Sequence, residues 1–247
     1  MEAKEFWEKI FSEENSGYYK SISYNLVKMP NLEDPVLSKA LEYFDDIKNK
    51  TIIDLGCGKG MASIFFAYHG ANVISVDYSS NAIQNLTKYC KEHNIPNITP
   101  MKLSALELDK INQVDFIYGE MILHHIEPFK QFAEVLSKVI KVCGKGFFYE
   151  NNARSNLMMY FRNNLVGKLW VPKHGDKDEH PLSLSEIKIL KKYFKVKIEF
   201  PELFYFRLIS TYLLNGYFKK FFILIDKLFF HIKPLKKYSY RQYIYLS

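Results

Sequence analysis

Cysteine is scarce in this chain, with three residues among 247 (Cys57, Cys90 and Cys143). They lie far apart and form no C-x-x-C pair, which argues against a disulfide framework and a zinc site, so we expect reduced thiols. The chain also lacks an apolar run of the roughly 20 residues that a membrane span needs. The polar residues Met1 to Glu5 do not resemble a secretory signal, so we expect none and predict a cytoplasmic location.

Charge of one sign is concentrated at one end of the chain. The net charge is +7, and thirteen Lys and Arg stand against three Asp and Glu between Lys188 and Ser247. This region is also rich in Phe and Tyr. One interpretation is a packed cap that its lysines keep soluble. The other is a surface for an anionic partner, either a phosphorylated or nucleotide-linked substrate or the inner face of a membrane.

Short apolar strands alternate with helices from residue 51 onward. Continuous apolar strands separated by helices are typical of a parallel sheet covered on both faces. Right-handed crossovers then make the sheet doubly wound, in a Rossmann-like α/β fold. The predicted strands cover residues 51–55, 72–76, 98–101, 114–118 and 146–150, and the predicted helices cover 61–68, 80–93 and 128–142.

The pattern predicts additions on both sides of this core. Residues 1–45 are predicted to form a helical N-terminal cap, 46–200 the Rossmann-like core, 201–236 an aromatic and basic helical insertion, and 237–247 the final strand of the core sheet. Residues 151–180 are long and polar, as in a lid or substrate loop. A helix over 182–193, a strand over 196–200, helical structure over 203–233 and a strand over 241–246 are predicted after it.

The first predicted strand leads directly into a glycine-rich loop that spans residues 54–60 and reads Asp-Leu-Gly-Cys-Gly-Lys-Gly. Glycine lets the backbone turn tightly and approach a ligand closely, and the next helix points its N-terminal N–H groups at the same place. The dinucleotide fingerprint G-x-G-x-x-G is not met, because Met61 stands at its last glycine position. Asp77 ends the second strand, where a carboxylate can accept hydrogen bonds from both ribose hydroxyls. The alternative is that Asp77 only caps the helix after it.

Together these segments resemble the class I S-adenosylmethionine (SAM)-dependent methyltransferases. The resemblance covers roughly residues 50–150 and rests on DLGCGKG at 54–60, VDYS at 76–79 and GEMILHHIE at 119–127. It implies SAM as cofactor and S-adenosylhomocysteine as product. It assigns the loop to the methionine portion, Asp77 to the ribose and Tyr78 to the adenine. The cofactor-binding residues that it implies are Asp54, Gly56, Cys57, Gly58, Gly60, Asp77, Tyr78, Glu120 and Met121.

Two further cofactor contacts are expected beyond these motifs. The family often has an acid after the third strand, but here the segment reads Lys-Leu-Ser-Ala-Leu, so Ser104 or the Ala105 N–H is expected to replace it. In the N-terminal cap Tyr19, between Tyr18 and Lys20, is a candidate for closing over the SAM carboxylate.

His124 and His125 are the candidates for catalysis. Both follow the fourth predicted strand, at the expected mouth of the pocket. Histidine can accept a proton near neutral pH, which methylation of a hydroxyl requires in its transition state. His125 is the preferred base, and a structural role for both is the alternative. These histidines with Glu120 and Glu127 imitate a metal cluster, but adjacent histidines rarely converge on one ion, so we expect no metal.

The acceptor is predicted from two segments. Asn151 and Asn152 follow the fifth strand, where substrate is expected. Residues 174–181 (HGDKDEHP) resemble a bacterial subset of these methyltransferases that is often encoded with surface-polysaccharide or secondary-metabolite genes. Glu179 and His180 are therefore candidate substrate residues, with a solvated loop as the alternative. The first hypothesis is O-methylation of a sugar, or of a phosphorylated or nucleotide-linked precursor of a bacterial surface polysaccharide.

Other functions remain open at this stage. An N-methyltransferase of a small metabolite fits the same cofactor half. A membrane-surface enzyme with a lipid-linked substrate would use the aromatic and lysine-rich residues 212–233. RNA or DNA methylation is disfavoured, because the polar-Pro-Pro-aromatic motif of base-modifying enzymes is absent after the fourth strand. A SAM sensor without activity and hydride transfer on NAD rank below these, and the oligomeric state is left open.

Overall fold

Seven strands form one sheet in the computed structural model, which describes residues 3–12, 27–164, 180–214 and 216–247. The spatial order is β3-β2-β1-β4-β5-β7-β6. The pairings among β1 to β5 are parallel, and β7 runs antiparallel to both of its neighbours. The strands are β1 (Thr51–Leu55), β2 (Asn72–Asp77), β3 (Ile98–Lys102), β4 (Val114–Glu120), β5 (Ile140–Asn151), β6 (Val196–Glu199) and β7 (Arg241–Leu246).

The strand order creates a crevice at the centre of the sheet. The chain moves outward from β1 to β3 and then returns to place β4 on the other side of β1. Ligands of open α/β sheets bind at such a reversal, beyond the carboxyl ends of the strands. The predicted doubly wound, mostly parallel fold is confirmed, and its reversal lies where the glycine-rich loop leaves β1.

Helices cover the two faces of the sheet. On one face Phe44, Phe66 and Phe116 belong to a buried apolar cluster. On the other face a second cluster contains Phe132, Leu136 and Phe148. Two short 3₁₀ helices, Ala105–Lys110 and Leu123–His125, follow β3 and β4. The α-helices are α1 (Ala3–Ile10), α2 (Pro35–Phe44), α3 (Met61–Tyr68), α4 (Ser80–Glu92), α5 (Phe129–Val139), α6 (Asn156–Asn164), α7 (Leu184–Leu190), α8 (Phe206–Leu213), α9 (Lys219–Phe230) and α10 (Lys233–Lys236).

Several predicted boundaries were wrong. The helix predicted over 128–142 ends at Val139, and β5 begins at Ile140 rather than near residue 146, because Ile140 already pairs with Val114. The helix predicted over 182–193 covers only 184–190, since Ser183 and Glu186 form a capping box that fixes its start.

The predicted helical stretch over 203–233 is broken into α8, α9 and α10. Gly216 and Phe218 have left-handed backbone angles (φ +85° and +59°), which an α-helix cannot contain. Pro234 lies in the first turn of α10, a position that starts a helix rather than continuing one. Among the residues that the structure describes, no helix has the length and apolarity that crossing a bilayer requires.

The start of α2 offers a direct test of local stability. The Asp34 carboxylate accepts hydrogen bonds from the N–H groups of Val36 (2.9 Å) and Leu37 (3.0 Å). Asp34→Ala removes both, and we expect the free energy of unfolding in urea to fall by about 1 kcal/mol. Asp34→Asn keeps an accepting oxygen and should stay close to the wild type. Equal losses in the two variants would contradict the capping role.

Candidate functional site

A cavity of about 340 Å³ lies at the carboxyl ends of β1, β2 and β4. A recess of about 100 Å³ continues it toward Ser104 and Ala105, since both are lined by Gly56, Asp77 and His125. Small-molecule sites have volumes of roughly 300–1,000 Å³, so the cleft is large enough for a nucleoside-sized ligand. The larger part is lined by Trp7, Phe11, Asp54, Gly56, Cys57, Gly58, Lys59, Met61, Ala62, Asp77, Tyr78, Tyr118, Glu120, Met121, Ile122 and His125.

The glycine-rich loop contributes bare backbone to this cavity. Gly56, Gly58 and Gly60 have φ angles of +69°, +47° and +69°, in the left-handed region that other residues rarely adopt. A Cβ at Gly56 would lie 2.6 Å from the Ile122 side chain, and one at Gly60 would overlap Leu86. At these two positions glycine is therefore required by backbone angle and by packing against the protein, not by the ligand alone.

Asp77 connects the loop to the helix that follows it. One carboxylate oxygen accepts a hydrogen bond from the Gly58 N–H (2.9 Å) and the other from the Ser79 N–H (2.9 Å). Burial raises the pKa of Asp77, while these hydrogen bonds oppose the rise. Asp77 thus braces the start of α4 and also lines the cavity. Each carboxylate oxygen can accept a further hydrogen bond, so a ribose would not have to displace the loop.

Asp54 is held inside the protein beneath the loop. Its Oδ2 accepts a hydrogen bond from Ser63 Oγ (2.5 Å), whose oxygen accepts one from Ser75 Oγ (2.6 Å). Burial raises the pKa of Asp54 to about 7, and the hydrogen bonds from Ser63 limit the rise. A nearby cation favours the charged form of such a carboxyl group, so this end of the cavity suits a positively charged ligand.

Glu120 and Met121 form the opposite wall of the cavity, at the end of β4. The Tyr118 hydroxyl donates a hydrogen bond to Glu120 Oε2 (2.9 Å), and burial raises the pKa of Glu120. Met121 has a left-handed φ of +51° and donates its N–H to the Tyr149 carbonyl (2.9 Å). The chain therefore turns sharply here and leaves both side chains beside the cavity.

The two adjacent histidines occupy different environments. His125 lines the cavity and its recess, with its ring 5.5 Å from Trp7 and 4.1 Å from His124. His124 is buried and its Nδ1 donates to Glu150 Oε2 (2.6 Å). The other oxygen of Glu150 accepts from the N–H groups of Ile122 (2.8 Å) and Leu123 (2.6 Å). His124 and Glu150 thus hold the turn after β4, and His125 is the histidine that faces the ligand space.

Helix α1 closes one side of the cavity, which the sequence analysis did not foresee. Glu8 accepts a hydrogen bond from Ser79 Oγ (2.5 Å), and its carbonyl accepts one from Asn81 (3.0 Å). These contacts seat α1 on α4 and direct Trp7 and Phe11 into the cavity. The only local signal was an aromatic, amphipathic segment at the beginning of the chain. Tyr19, the residue predicted to close the site, lies outside the described residues.

Asn151 ends β5 and Asn152 follows it. Neither is among the described residues that line the cavity. Asn152 donates its amide hydrogens to the carbonyls of Ser239 (2.8 Å) and Lys237 (3.2 Å), which ties β5 to the segment before β7. Asn151 Oδ1 accepts from Arg241 (2.7 Å), an arginine that the sequence analysis missed. The Arg241 guanidinium also lies over the Tyr149 ring, 5.5 Å from its centre.

Other predicted residues are distributed around the edge of the site. Ser104 lines the recess but also caps a 3₁₀ helix by accepting from the Leu106 N–H (3.3 Å). His180 is exposed, and Glu179 lies outside the described residues. Among described residues, atoms of Glu127, His180 and Glu186 that could bind a metal come within 4.8 Å of one another. His124, one member of the cluster weighed from the sequence, has its Nδ1 bonded to Glu150.

The central part of the chain matches the model of a known protein family. A model described as a methyltransferase domain matches residues 52–146. A ubiquinone biosynthesis O-methyltransferase from Rickettsia bellii (strain OSU 85-389) is 25% identical over 167 residues, which cover 66% of this chain and 68% of that protein. Residues 52–146, which the family model matches, contain the glycine-rich loop, Asp77 and both histidines.

Solved structures show the same architecture. One is the Haemonchus contortus phosphoethanolamine N-methyltransferase 2 with phosphomonomethylethanolamine and S-adenosylhomocysteine (TM-score 0.59, 16% identity, 92% of this chain and 55% of that one). Another is geranyl diphosphate C-methyltransferase from Streptomyces coelicolor A3(2) with Mg²⁺, geranyl diphosphate and S-adenosyl-L-homocysteine (TM-score 0.59, 16% identity, 87% and 78%). At such identities the likeness concerns the fold alone.

The buried carboxyl group of Asp54 should make stability depend on pH. Its pKa in the folded protein, about 7, lies above the value of about 3.9 in unfolded chains. The folded state then binds more protons between these values, so the wild type loses stability relative to Asp54→Asn as pH rises, and the loss levels off above the folded pKa. The quantity to measure is the free energy of unfolding in urea of the ligand-free wild type minus that of Asp54→Asn. We expect this difference to fall by roughly 2–3 kcal/mol between about pH 5 and pH 8. A constant difference would contradict the raised pKa.

Proposed function

We propose that the chain is a class I SAM-dependent methyltransferase that transfers the methyl group of SAM to a hydroxyl group of a small molecule, with His125 as the proton acceptor. One observation carries this proposal: His125 opens into the same cavity as the glycine-rich loop and Asp77. A cofactor held by the loop and an acceptor beside His125 would therefore share one cavity. His124, which bonds to Glu150 instead, is assigned a positioning role.

The residues around the cavity fit SAM, which carries two positive charges on its methionine portion. Three carboxyl groups, those of Asp54, Asp77 and Glu120, line the cavity, and burial raises the pKa of each. A cationic ligand would offset this burial by favouring their charged forms. We assign the loop and Asp54 to the methionine end, Asp77 to the ribose, and Tyr78 with the Ser104–Ala105 recess to the adenine.

The chemistry divides between cofactor and protein. Bound SAM supplies an electrophilic methyl group, which needs no activation by a metal. The protein holds the acceptor oxygen in line and receives its proton, which a neutral imidazole at His125 can do near neutral pH. Exact positioning is worth roughly 7–11 kcal/mol of the barrier, more than the about 10²–10⁴-fold that a general base adds. We therefore expect loss of His125 to weaken catalysis without abolishing it.

The class of acceptor is proposed only as far as the relatives support it. The Rickettsia relative is named as an O-methyltransferase, which agrees with a hydroxyl acceptor. Its name refers to ubiquinone biosynthesis and gives no support to the sugar or surface-polysaccharide acceptor that the sequence predicted. We therefore propose a hydroxyl group as the methyl acceptor and do not propose that it belongs to a sugar. A cytoplasmic location, an anionic substrate and contact with a membrane surface stay proposals of the same kind.

Asp77→Ala tests the cofactor site. The variant removes the acceptor proposed for the ribose hydroxyls, and we expect calorimetry to show SAM binding weakened by roughly 1–3 kcal/mol, the value of hydrogen bonds to a charged group. Asp109→Ala changes an exposed acid on the 3₁₀ helix after β3 and should bind as the wild type does. Unchanged affinity in Asp77→Ala would mean that the cofactor lies elsewhere.

His125→Asn tests the proton acceptor. With SAM carrying a labelled methyl group and dihydroxybenzoates as acceptors, we expect kcat to fall by about 10²–10⁴-fold, with little change in SAM affinity. His93→Asn, an exposed residue at the end of α4, is the matched control. Full turnover in His125→Asn would remove this histidine from the reaction, and full turnover with amine acceptors alone would favour N-methylation.

A further inference from the structure

An apolar face remains on the outside of the C-terminal region. Two helices contribute to it: α6 with three exposed apolar side chains, and α9 with the two residues before it. Five of the side chains at α9 are 58–72% exposed, far more than large apolar groups usually are. We call this set the C-terminal apolar face, and it consists of Leu157, Tyr160, Phe161, Tyr217, Phe218, Phe221, Leu224 and Leu228.

The direction of α9 is set by a buried acid on its opposite side. Residues 221, 224 and 228 follow one another at intervals of three and four, which places them on one side of α9. Asp226 is buried and accepts hydrogen bonds from the N–H groups of Tyr205 (2.8 Å), Phe206 (2.9 Å) and Arg207 (2.9 Å) at the start of α8. This contact anchors the Asp226 side of α9 inward, so the side with Phe221, Leu224 and Leu228 is held outward.

A second cavity opens between the two helices. It has a volume of about 420 Å³ and lies apart from the cofactor cavity, with which it shares no lining residue. Leu157 of α6 and Phe229 of α9 both line it, together with Leu203, Phe206 and Leu235. The apolar face and the apolar cavity are therefore continuous across the gap between α6 and α9. Clustered, exposed apolar side chains on a protein surface are typical of interaction sites.

The charge around the face is positive. Six lysines lie between residues 216 and 238, and Asp226 is the only acid there. The Asp226 carboxylate already accepts hydrogen bonds from the N–H groups at the start of α8. Lys219, Lys220, Lys227, Lys233 and Lys237 are exposed, and Lys236 is half-buried. Aromatic and aliphatic side chains beside exposed lysines are the composition of helices that lie in the interface of anionic membranes.

We propose that the C-terminal apolar face docks on an anionic lipid bilayer, with α9 lying in the interface and the second cavity open to hydrocarbon chains. A second copy of the chain fits less well, because a two-fold contact would set the lysine-rich face against itself. The docking is independent of the proposed methyl transfer: the cavity that holds His125 and Asp77 is separate, so either assignment can fail without the other.

Sedimentation with vesicles tests the docking. We expect the full chain to pellet with vesicles of phosphatidylcholine and phosphatidylglycerol, at least tenfold more than with phosphatidylcholine alone, and to be released by high salt. The triple variant Phe221→Ser, Leu224→Ser, Leu228→Ser should lose at least tenfold in partitioning. A matched variant with Met29→Ser, Tyr68→Ser and Val142→Ser removes equally exposed apolar groups elsewhere and should bind as the wild type does.

The outcomes distinguish the occupants of the face. Both triple variants should keep the SAM affinity of the wild type, which shows that they fold. Absence of binding of the wild type to anionic vesicles would overturn the proposal, as would equal binding of the two triple variants. A concentration-dependent dimer in sedimentation velocity that only the Phe221, Leu224, Leu228 variant loses would assign the face to a second copy instead.

Discussion

A single carboxylate joins the elements that surround the cofactor cavity. Asp77 receives the Gly58 N–H with one oxygen and the Ser79 N–H with the other, so the end of β2, the glycine-rich loop and the start of α4 are fixed together. Ser79 in turn donates its hydroxyl to Glu8, which extends the connection to α1. The walls of the cavity depend on this chain of contacts. The same side chain is the acceptor that we propose for the hydroxyls of the cofactor ribose.

The cavity is arranged for a cationic ligand at some cost to the empty protein. Asp54 and Asp77 are buried, and loss of contact with water raises the pKa of their carboxyl groups and that of Glu120, which keeps an exposed part. Lys59 is the one lysine among the described residues of the lining, and burial lowers its pKa. A ligand that carries an ammonium and a sulfonium group would relieve this unfavourable burial. Charge and shape thus act together, since the glycine-rich loop supplies a narrow backbone wall beside the same acids.

The sequence predicted those parts of the molecule that local patterns determine. The glycine-rich loop and Asp77 were recognisable because a strand, its turn and the next helix lie within one short segment. The parallel sheet followed from short apolar strands alternating with helices. Helix ends were predicted less well, because the capping box at Ser183 and the left-handed Gly216 shorten or divide helices whose apolar pattern is continuous.

Contacts between distant parts of the chain could not be predicted in this way. Glu150 pairs with His124 from 26 residues away, and Arg241 reaches Asn151 from 90 residues away. Trp7 and Phe11 enter the cavity only because Glu8 bonds to Ser79 and Asn81 more than 70 residues later. The separate environments of His124 and His125 likewise depend on Glu150. Because Glu150 is distant in the sequence, no local pattern shows which of the two histidines it binds.

The most direct test is a crystal structure of the chain with S-adenosylhomocysteine. The account predicts ribose hydroxyls within hydrogen-bonding distance of Asp77, the amino acid end against the loop of residues 56–60, and adenine in the recess at Ser104 and Ala105. The thioether sulfur should lie in the same cavity as His125. The nucleoside bound at any other place, or bound with its ribose turned away from Asp77, would contradict it.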